Sequence, residues 1–110
     1  MFAEVKSMLP VSGDDYDAEI IFQIKAAALD LTRTAEIVLP GTISIERNPG
    51  TGRVTDTSDL KDELVTTAIA IWCRMKIGTP PDYDQLLKAY ESLKGSLRMS
   101  GSYTSYGVTV

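Results

Sequence analysis

Histidine is absent from this chain of 110 residues, and cysteine occurs only once. Without histidine the chain lacks the commonest general base and metal ligand, and it cannot form a Ser-His or Cys-His nucleophilic pair. A single cysteine excludes an intramolecular disulfide, and Cys73 follows isoleucine and tryptophan in an apolar run typical of a buried thiol. These absences favour a protein of a reducing compartment with no catalytic activity, no cofactor and no metal.

Long apolar runs and an excess of positive charge are also missing. No stretch approaches the roughly 20 apolar residues that cross a membrane, and Glu4 stands where a secretory leader would be basic. The net charge of -4 argues against wrapping nucleic acid as the main activity, although it leaves room for a local basic patch. The length allows one domain with a small core.

Apolar spacing predicts a mainly α fold, a small four-helix bundle with one short and three longer helices. The first runs from Phe2 to Leu9, with Phe2, Val5, Met8 and Leu9 on one face, and stops at Pro10. The second follows a turn, takes Ser12 or Asp14 as its cap and ends near Ala35 or Glu36.

The third helix is predicted to be central, since its apolar residues cover more than half of its circumference. It is expected to begin at the cap-like cluster 57–59 and to end near Ile77, about 30 Å in all. Gly78 would close it in a left-handed conformation.

The last helix follows Pro80-Pro81 and has acids at its positive end. Its apolar stripe comprises Tyr83, Leu86, Leu87, Tyr90, Leu93 and Leu97. Gly95 is expected to weaken its last turn. Trp72, Tyr83 and Tyr90 are predicted to be core residues.

Between the second and third helices, about 41–56, the pattern predicts a β-hairpin or a long loop. Ile43 and Ile45 alternate with polar residues, the turn-rich segment 48–52 follows, and 53–55 can return as a strand. The two glycines of the turn make a phosphate-binding loop only a weak alternative, because no Gly-Lys-Ser/Thr follows.

Two clusters of charged residues could be binding sites or ordinary structural features. Asp14, Asp15 and Asp17 lack the ligand series of a calcium loop, so helix capping is favoured. Lys88, Lys94 and Arg98 lie along the polar side of the last helix and form either a solvated face or a contact with an acidic partner or DNA.

The C-terminal segment 99–110 has no helical periodicity. Its residues Ser100, Gly101, Ser102, Tyr103, Thr104, Tyr106, Val108 and Val110 are polar, small, aromatic or β-branched. Such a tail either stays free or becomes a strand on a partner.

The end of the chain resembles the closing motif of bacteriophage head–tail connector proteins, the portal-ring adaptors. The motif spans Tyr90 to Tyr103 and reads Tyr-Glu-Ser-Leu-Lys-Gly-Ser-Leu-Arg-Met-Ser-Gly-Ser-Tyr. The block around Asp15-Tyr16-Asp17 and the Asp82-Tyr83 opening of the last helix also resemble that family. The likeness is weakest over 39–54, where this chain carries a longer insert.

The resemblance implies a structural virion protein at the head–tail junction, made in the bacterial cytoplasm. It implies a helical connector domain over 1–98 and a portal-docking tail over 99–110, in a ring commonly of twelve copies. The implied partners are the portal, a tail, stopper or tail-terminator protein, other copies of the chain and, transiently, the genomic DNA in the channel, with no membrane.

Contacts with a neighbouring subunit, the channel or the next tail component are expected from the hairpin and from the cations of the last helix. These residues are Ile43, Ile45, Arg47, Asn48, Arg53, Lys88, Lys94 and Arg98. The alternatives are a small helical regulatory or DNA-binding domain, which would need a basic recognition helix, and a small enzyme using Asp14, Asp15 or Cys73.

Overall fold

Four helices and one hairpin make up the computed structural model, which describes residues 1–78 and 80–100. The helices are α1 (Phe2–Ser7), α2 (Asp17–Thr34), α3 (Glu63–Lys76) and α4 (Tyr83–Met99). The strands β1 (Ile45–Arg47) and β2 (Val54–Asp56) pair antiparallel between α2 and α3. The predicted mainly helical class and the hairpin alternative are therefore confirmed, while the predictions for residues 101–110 fall outside the described residues.

Helix α3 lies at the centre, as its apolar circumference predicts. It contacts α1, α2 and α4, and its residues Val65, Ala68, Ile69 and Cys73 are completely buried. Gly78 follows it with a φ of 79°, the expected left-handed closure. Since α3 has 14 residues, it spans about 21 Å rather than the expected 30 Å.

The start of α3 was predicted too early. Asp62, not the cluster 57–59, caps the helix, and its Oδ1 accepts a hydrogen bond from the Val65 N–H at 3.0 Å. The Ser58 hydroxyl instead accepts the N–H of Ser44 at 2.8 Å, across the base of the hairpin. Serine and aspartate side chains can bind any nearby backbone N–H, so a cap-like cluster also suits a loop.

The first two helices are joined by a partly buried ion pair that the sequence pattern did not reveal. Asp17 is only 4% exposed, and its Oδ1 accepts the Lys6 ammonium at 2.7 Å. No side chain caps α2, so the predicted caps Ser12 and Asp14 are wrong. An acid expected to favour the helix dipole therefore also holds α1 against α2.

Two ends of the predicted apolar faces are exposed. Helix α1 stops at Ser7, and Met8 is 49% exposed although Leu9 is buried. In α4 the residues Leu86, Tyr90 and Leu97 are buried, but Tyr83 and Leu87 are 40% and 38% exposed. The prediction that Tyr83 is a core residue is therefore wrong.

Contacts along α4 give the directions of its neighbours. Arg74 pairs with Asp82 at 3.4 Å, and the rings of Trp72 and Tyr90 lie 5.4 Å apart, so α3 and α4 are antiparallel. On the other side, Asp30 of α2 pairs with Lys94 at 3.4 Å, and Glu36, just beyond the end of α2, pairs with Arg98 at 3.9 Å. Helices α2 and α4 therefore run in the same direction, with their C-terminal ends near each other.

Candidate interaction surfaces

The hairpin is a short ribbon with an ordered tip. Arg47 pairs with Val54, and the Asn48 N–H donates to the Arg53 carbonyl at 2.8 Å. The Asn48 side-chain oxygen accepts the Gly50 N–H at 2.8 Å, which closes the turn. An asparagine that binds backbone two residues ahead is a typical turn former, and the tip is therefore held without help from a partner.

The predicted contact residues of the hairpin divide into two groups. Ile45 is 1% exposed and belongs to the core, where β1 contacts α2, and Ile43 is half-buried against the same core. Ile45 is thus wrongly placed among the surface contacts, because its side of the ribbon is the one that anchors the hairpin. Arg47, Asn48 and Arg53 are exposed, and the two arginine side chains present positive charge to solvent.

The three cations of α4 are in different environments. Lys94 is half-buried and pairs with Asp30 and with Glu91, while Arg98 reaches Glu36 with both side chains about 60% exposed. Lys88 is exposed and makes no ion pair with residues 1–78 or 80–100. Of the three, Lys94 is engaged within the fold and Lys88 is available to a partner.

A polar junction links all three long helices. The Tyr90 hydroxyl donates to Asp30 at 2.6 Å, beside Lys94, and the Trp72 indole N–H donates to Gln23 at 3.0 Å. Burial and the Asp30 carboxylate raise the pKa of Tyr90 far above its ordinary value. The phenol therefore stays protonated as a donor, a positioning contact rather than a reactive group.

Two other side chains considered above for catalysis or metal binding are buried or pair within the fold. Cys73 is completely buried, and burial raises the pKa of its thiol to about 12, so it is not poised as a nucleophile. Asp14 lies 3.7 Å from Lys6, which is already bound to Asp17. The described part of the chain contains no group of three or more acidic, histidine or cysteine residues suited to a metal ion.

The docking tail is described only at its first residue. Ser100 is half-buried, and its N–H donates to the Leu97 carbonyl at 3.2 Å as α4 ends. The remaining predicted docking residues, Gly101, Ser102, Tyr103, Thr104, Tyr106, Val108 and Val110, lie outside the described residues.

The outer face of α2 carries exposed apolar groups that the sequence reasoning missed. Phe22 is 65% exposed and Leu29 is 50% exposed, seven residues further along the same face. The signal was present in the sequence, because both residues lie off the buried stripe of Ile20, Ile24 and Leu31.

None of the described helices has the length and apolarity that a membrane crossing requires. Comparisons with protein-family models, with characterised proteins and with solved structures found no match.

Proposed function

We propose that the protein is a head–tail connector subunit of a tailed phage or prophage. Copies of it form a ring, commonly of twelve, between the portal and the tail and extend the DNA channel. It acts by assembly at the head–tail junction of the virion and carries out no catalysis. It is made in the bacterial cytoplasm, and DNA passes it only transiently.

The observation that supports this proposal most is the way α4 leads into the closing motif. Its first half, from Tyr90 to Met99, is helical and anchored through Tyr90 and Lys94 to Asp30. The polar half follows directly from the helix end, at Ser100. A docking segment that leaves a rigid helix samples less space than one on a free linker, which lowers the ordering cost of binding.

The same proposal includes the arrangement of the helices as a four-helix bundle. Support comes from the antiparallel contacts of α3 with α4, from the position of α2 beside both, and from α1 against α3 and α2. A bundle of this kind would act as a rigid wedge in a ring, while the tail engages the portal above it and a tail, stopper or tail-terminator protein lies below.

Co-sedimentation with purified portal rings tests the proposal. The full chain is compared with a version that ends at Arg98, and far-ultraviolet circular dichroism establishes that both are helical. We expect the full chain to bind and the shortened chain to stay folded but lose binding, because the docking residues are gone.

A second variant separates the sequence of the tail from its length. It keeps the full length but replaces Tyr103 and Tyr106 with serine, and we expect binding at least about tenfold weaker, since aromatic residues commonly dominate binding energy. Normal docking by the chain that ends at Arg98, or no docking by the folded full chain, would contradict the proposal.

A further inference from the structure

One stripe of α2 faces solvent with apolar and basic side chains. Ala18, Phe22, Lys25, Leu29 and Arg33 are all exposed and follow one another at spacings of three or four residues. Residues at these spacings share one face of a helix, so they form a continuous surface, the α2 stripe. Lys25 and Arg33 make no ion pair with any residue of 1–78 or 80–100.

The acids of α2 either bond elsewhere in the fold or flank this stripe. Asp17 is buried against Lys6, and Asp30 faces Tyr90 and Lys94. Glu19 bonds Gln23, on the side of the helix that faces Trp72. The stripe is therefore basic as well as apolar, in a protein whose net charge is -4.

The stripe continues onto the hairpin. An open groove of about 420 Å³ is lined by Ala18 and Lys25 from α2 and by Ile45, Glu46 and Arg47 from β1. Arg47 adds a third cation beside Lys25, and Glu46 is the acid among the residues that line the groove. The partner that fits this surface therefore presents acids next to apolar groups.

Helix α4 carries a surface of that description. Tyr83, Asp84, Leu87 and Glu91 are exposed and fall on one face, the α4 stripe. Asp84 makes no ion pair within residues 1–78 and 80–100, and Glu91 reaches only Lys94, at 3.5 Å. Lys88 lies at the edge of the stripe, and together with Lys94 it places positive charge beside these acids.

The two stripes match in spacing as well as in charge. Lys25 and Arg33 are eight residues apart, about 12 Å along the axis, and Asp84 and Glu91 are seven apart, about 10.5 Å. In each stripe an exposed apolar side chain, Leu29 or Leu87, lies between the two charges. Two helices that pack along these faces would bury the apolar groups and pair the charges.

We propose that the α2 stripe of one copy of the chain packs against the α4 stripe of another copy. This inference rests on the proposed function, in which each subunit meets a neighbour on two different faces. A contact between two different surfaces closes into a ring when the rotation between copies allows it. Duplex DNA fits the α2 stripe less well, because a phosphate backbone offers no partner for Phe22 and Leu29.

Charge reversal with complementation tests the contact. One variant carries Lys25→Glu and Arg33→Glu, and the other carries Asp84→Lys and Glu91→Lys. Self-association is measured by sedimentation velocity in low salt, over concentrations up to the solubility limit. We expect wild-type chains to associate, more weakly as salt rises, and each variant alone to associate at least about tenfold more weakly.

The mixture of the two variants provides the decisive comparison. Each would then offer the other a complementary stripe on both faces, so the mixture is expected to recover the association of the wild type. A single variant, Lys25→Glu, is compared with Lys61→Glu, which makes the same charge change outside both stripes. Lys61→Glu is the control and is expected to associate normally.

Several outcomes would overturn the contact. They are a wild type that remains monomeric, variants that associate normally, a mixture that fails to recover, or duplex DNA binding that is lost with Lys25→Glu and Arg33→Glu. The portal co-sedimentation distinguishes the two proposals. Portal binding by wild type together with unaffected self-association in the variants would reject the stripes and leave the connector function standing. Recovered association in the mixture, together with no portal binding by the wild type, would support the contact between the stripes and reject the connector function.

Discussion

At the scale of single residues, Tyr90 is the clearest test of the polar junction. Its hydroxyl donates to the carboxylate of Asp30 at 2.6 Å, and its ring is 1% exposed. Tyr90→Phe removes this charge-assisted hydrogen bond and keeps the ring, so we expect the free energy of unfolding to fall by about 1 to 2 kcal/mol. Urea denaturation measures the change.

Tyr83→Phe is the matched control, because Tyr83 is 40% exposed and its hydroxyl bonds no described residue. We expect this substitution to change the free energy of unfolding by less than about 0.5 kcal/mol. Equal effects at the two tyrosines would show that the bond to Asp30 contributes nothing to stability.

Asp56 gives the protein an acid-sensitive contact at the end of β2. Burial opposes its ionisation, but hydrogen bonds from the Phe2 N–H at 2.7 Å and from Ser58 hold the pKa of this carboxyl well below its ordinary value of 3.8. Since the folded pKa is lower than the unfolded one, the carboxylate stabilises the fold above about pH 4. That stabilisation is lost as the pH falls from 3.8 toward the folded pKa.

We therefore expect Asp56→Asn to be less stable than wild type at pH 7, with the difference shrinking steadily below pH 3.8. Thermal unfolding followed at a series of pH values measures this. Asp15→Asn, at an exposed acid with no hydrogen bond or ion pair to a described residue, is the control and is expected to follow the wild-type curve. A difference in stability between Asp56→Asn and wild type that is independent of pH would show that ionisation of Asp56 is not the source of the stabilisation.

At the scale of elements, two glycines have opposite roles. Gly41 precedes the hairpin with a φ of 148°, and a Cβ there would lie 2.7 Å from the Leu60 Cα. Gly95 lies in helix α4, where a Cβ would meet nothing within 4 Å. The first glycine permits a close approach of backbones, whereas the second only lowers the stability of its helix.

We expect Gly41→Ala to destabilise the protein by more than about 1 kcal/mol and Gly95→Ala to stabilise it by up to about 1 kcal/mol. Urea denaturation of the two variants checks both signs. Stabilisation by Gly41→Ala would mean that the entry to the hairpin adapts readily.

The element boundaries show what the sequence could predict. Helix α3 was identified as central because its apolar residues surround it, and the hairpin because turn residues separate two alternating segments. The start of α3 was missed because Ser58 makes a long-range bond to Ser44, and local patterns do not indicate the partner of a side chain. Burial of Ile45 was missed for the same reason, since alternation shows that a strand has two faces but not which one the core covers.

At the scale of the whole molecule, the candidate surfaces depend on chain directions that no local pattern contains. The α2 stripe was overlooked because only one apolar face of a helix is normally sought, and Phe22 and Leu29 lie off the face of Ile20 and Ile24. The parallel course of α2 and α4 follows from the pairs Asp30–Lys94 and Glu36–Arg98, which join residues more than 60 positions apart. By contrast, the end of α4 at Met99 could be predicted, because the apolar periodicity stops there.

The position of Trp72 has a practical consequence for spectroscopy. It is the single tryptophan of the chain, and its indole lies where α2, α3 and α4 meet, bonded to Gln23, 5.4 Å from the Tyr90 ring and beneath the Lys76 ammonium at 4.7 Å. A change in the separation of these helices alters the polarity and the field around one indole. Fluorescence excited at wavelengths that tyrosine does not absorb can therefore report unfolding in an unlabelled sample, with the tryptophan emission arising from one known position.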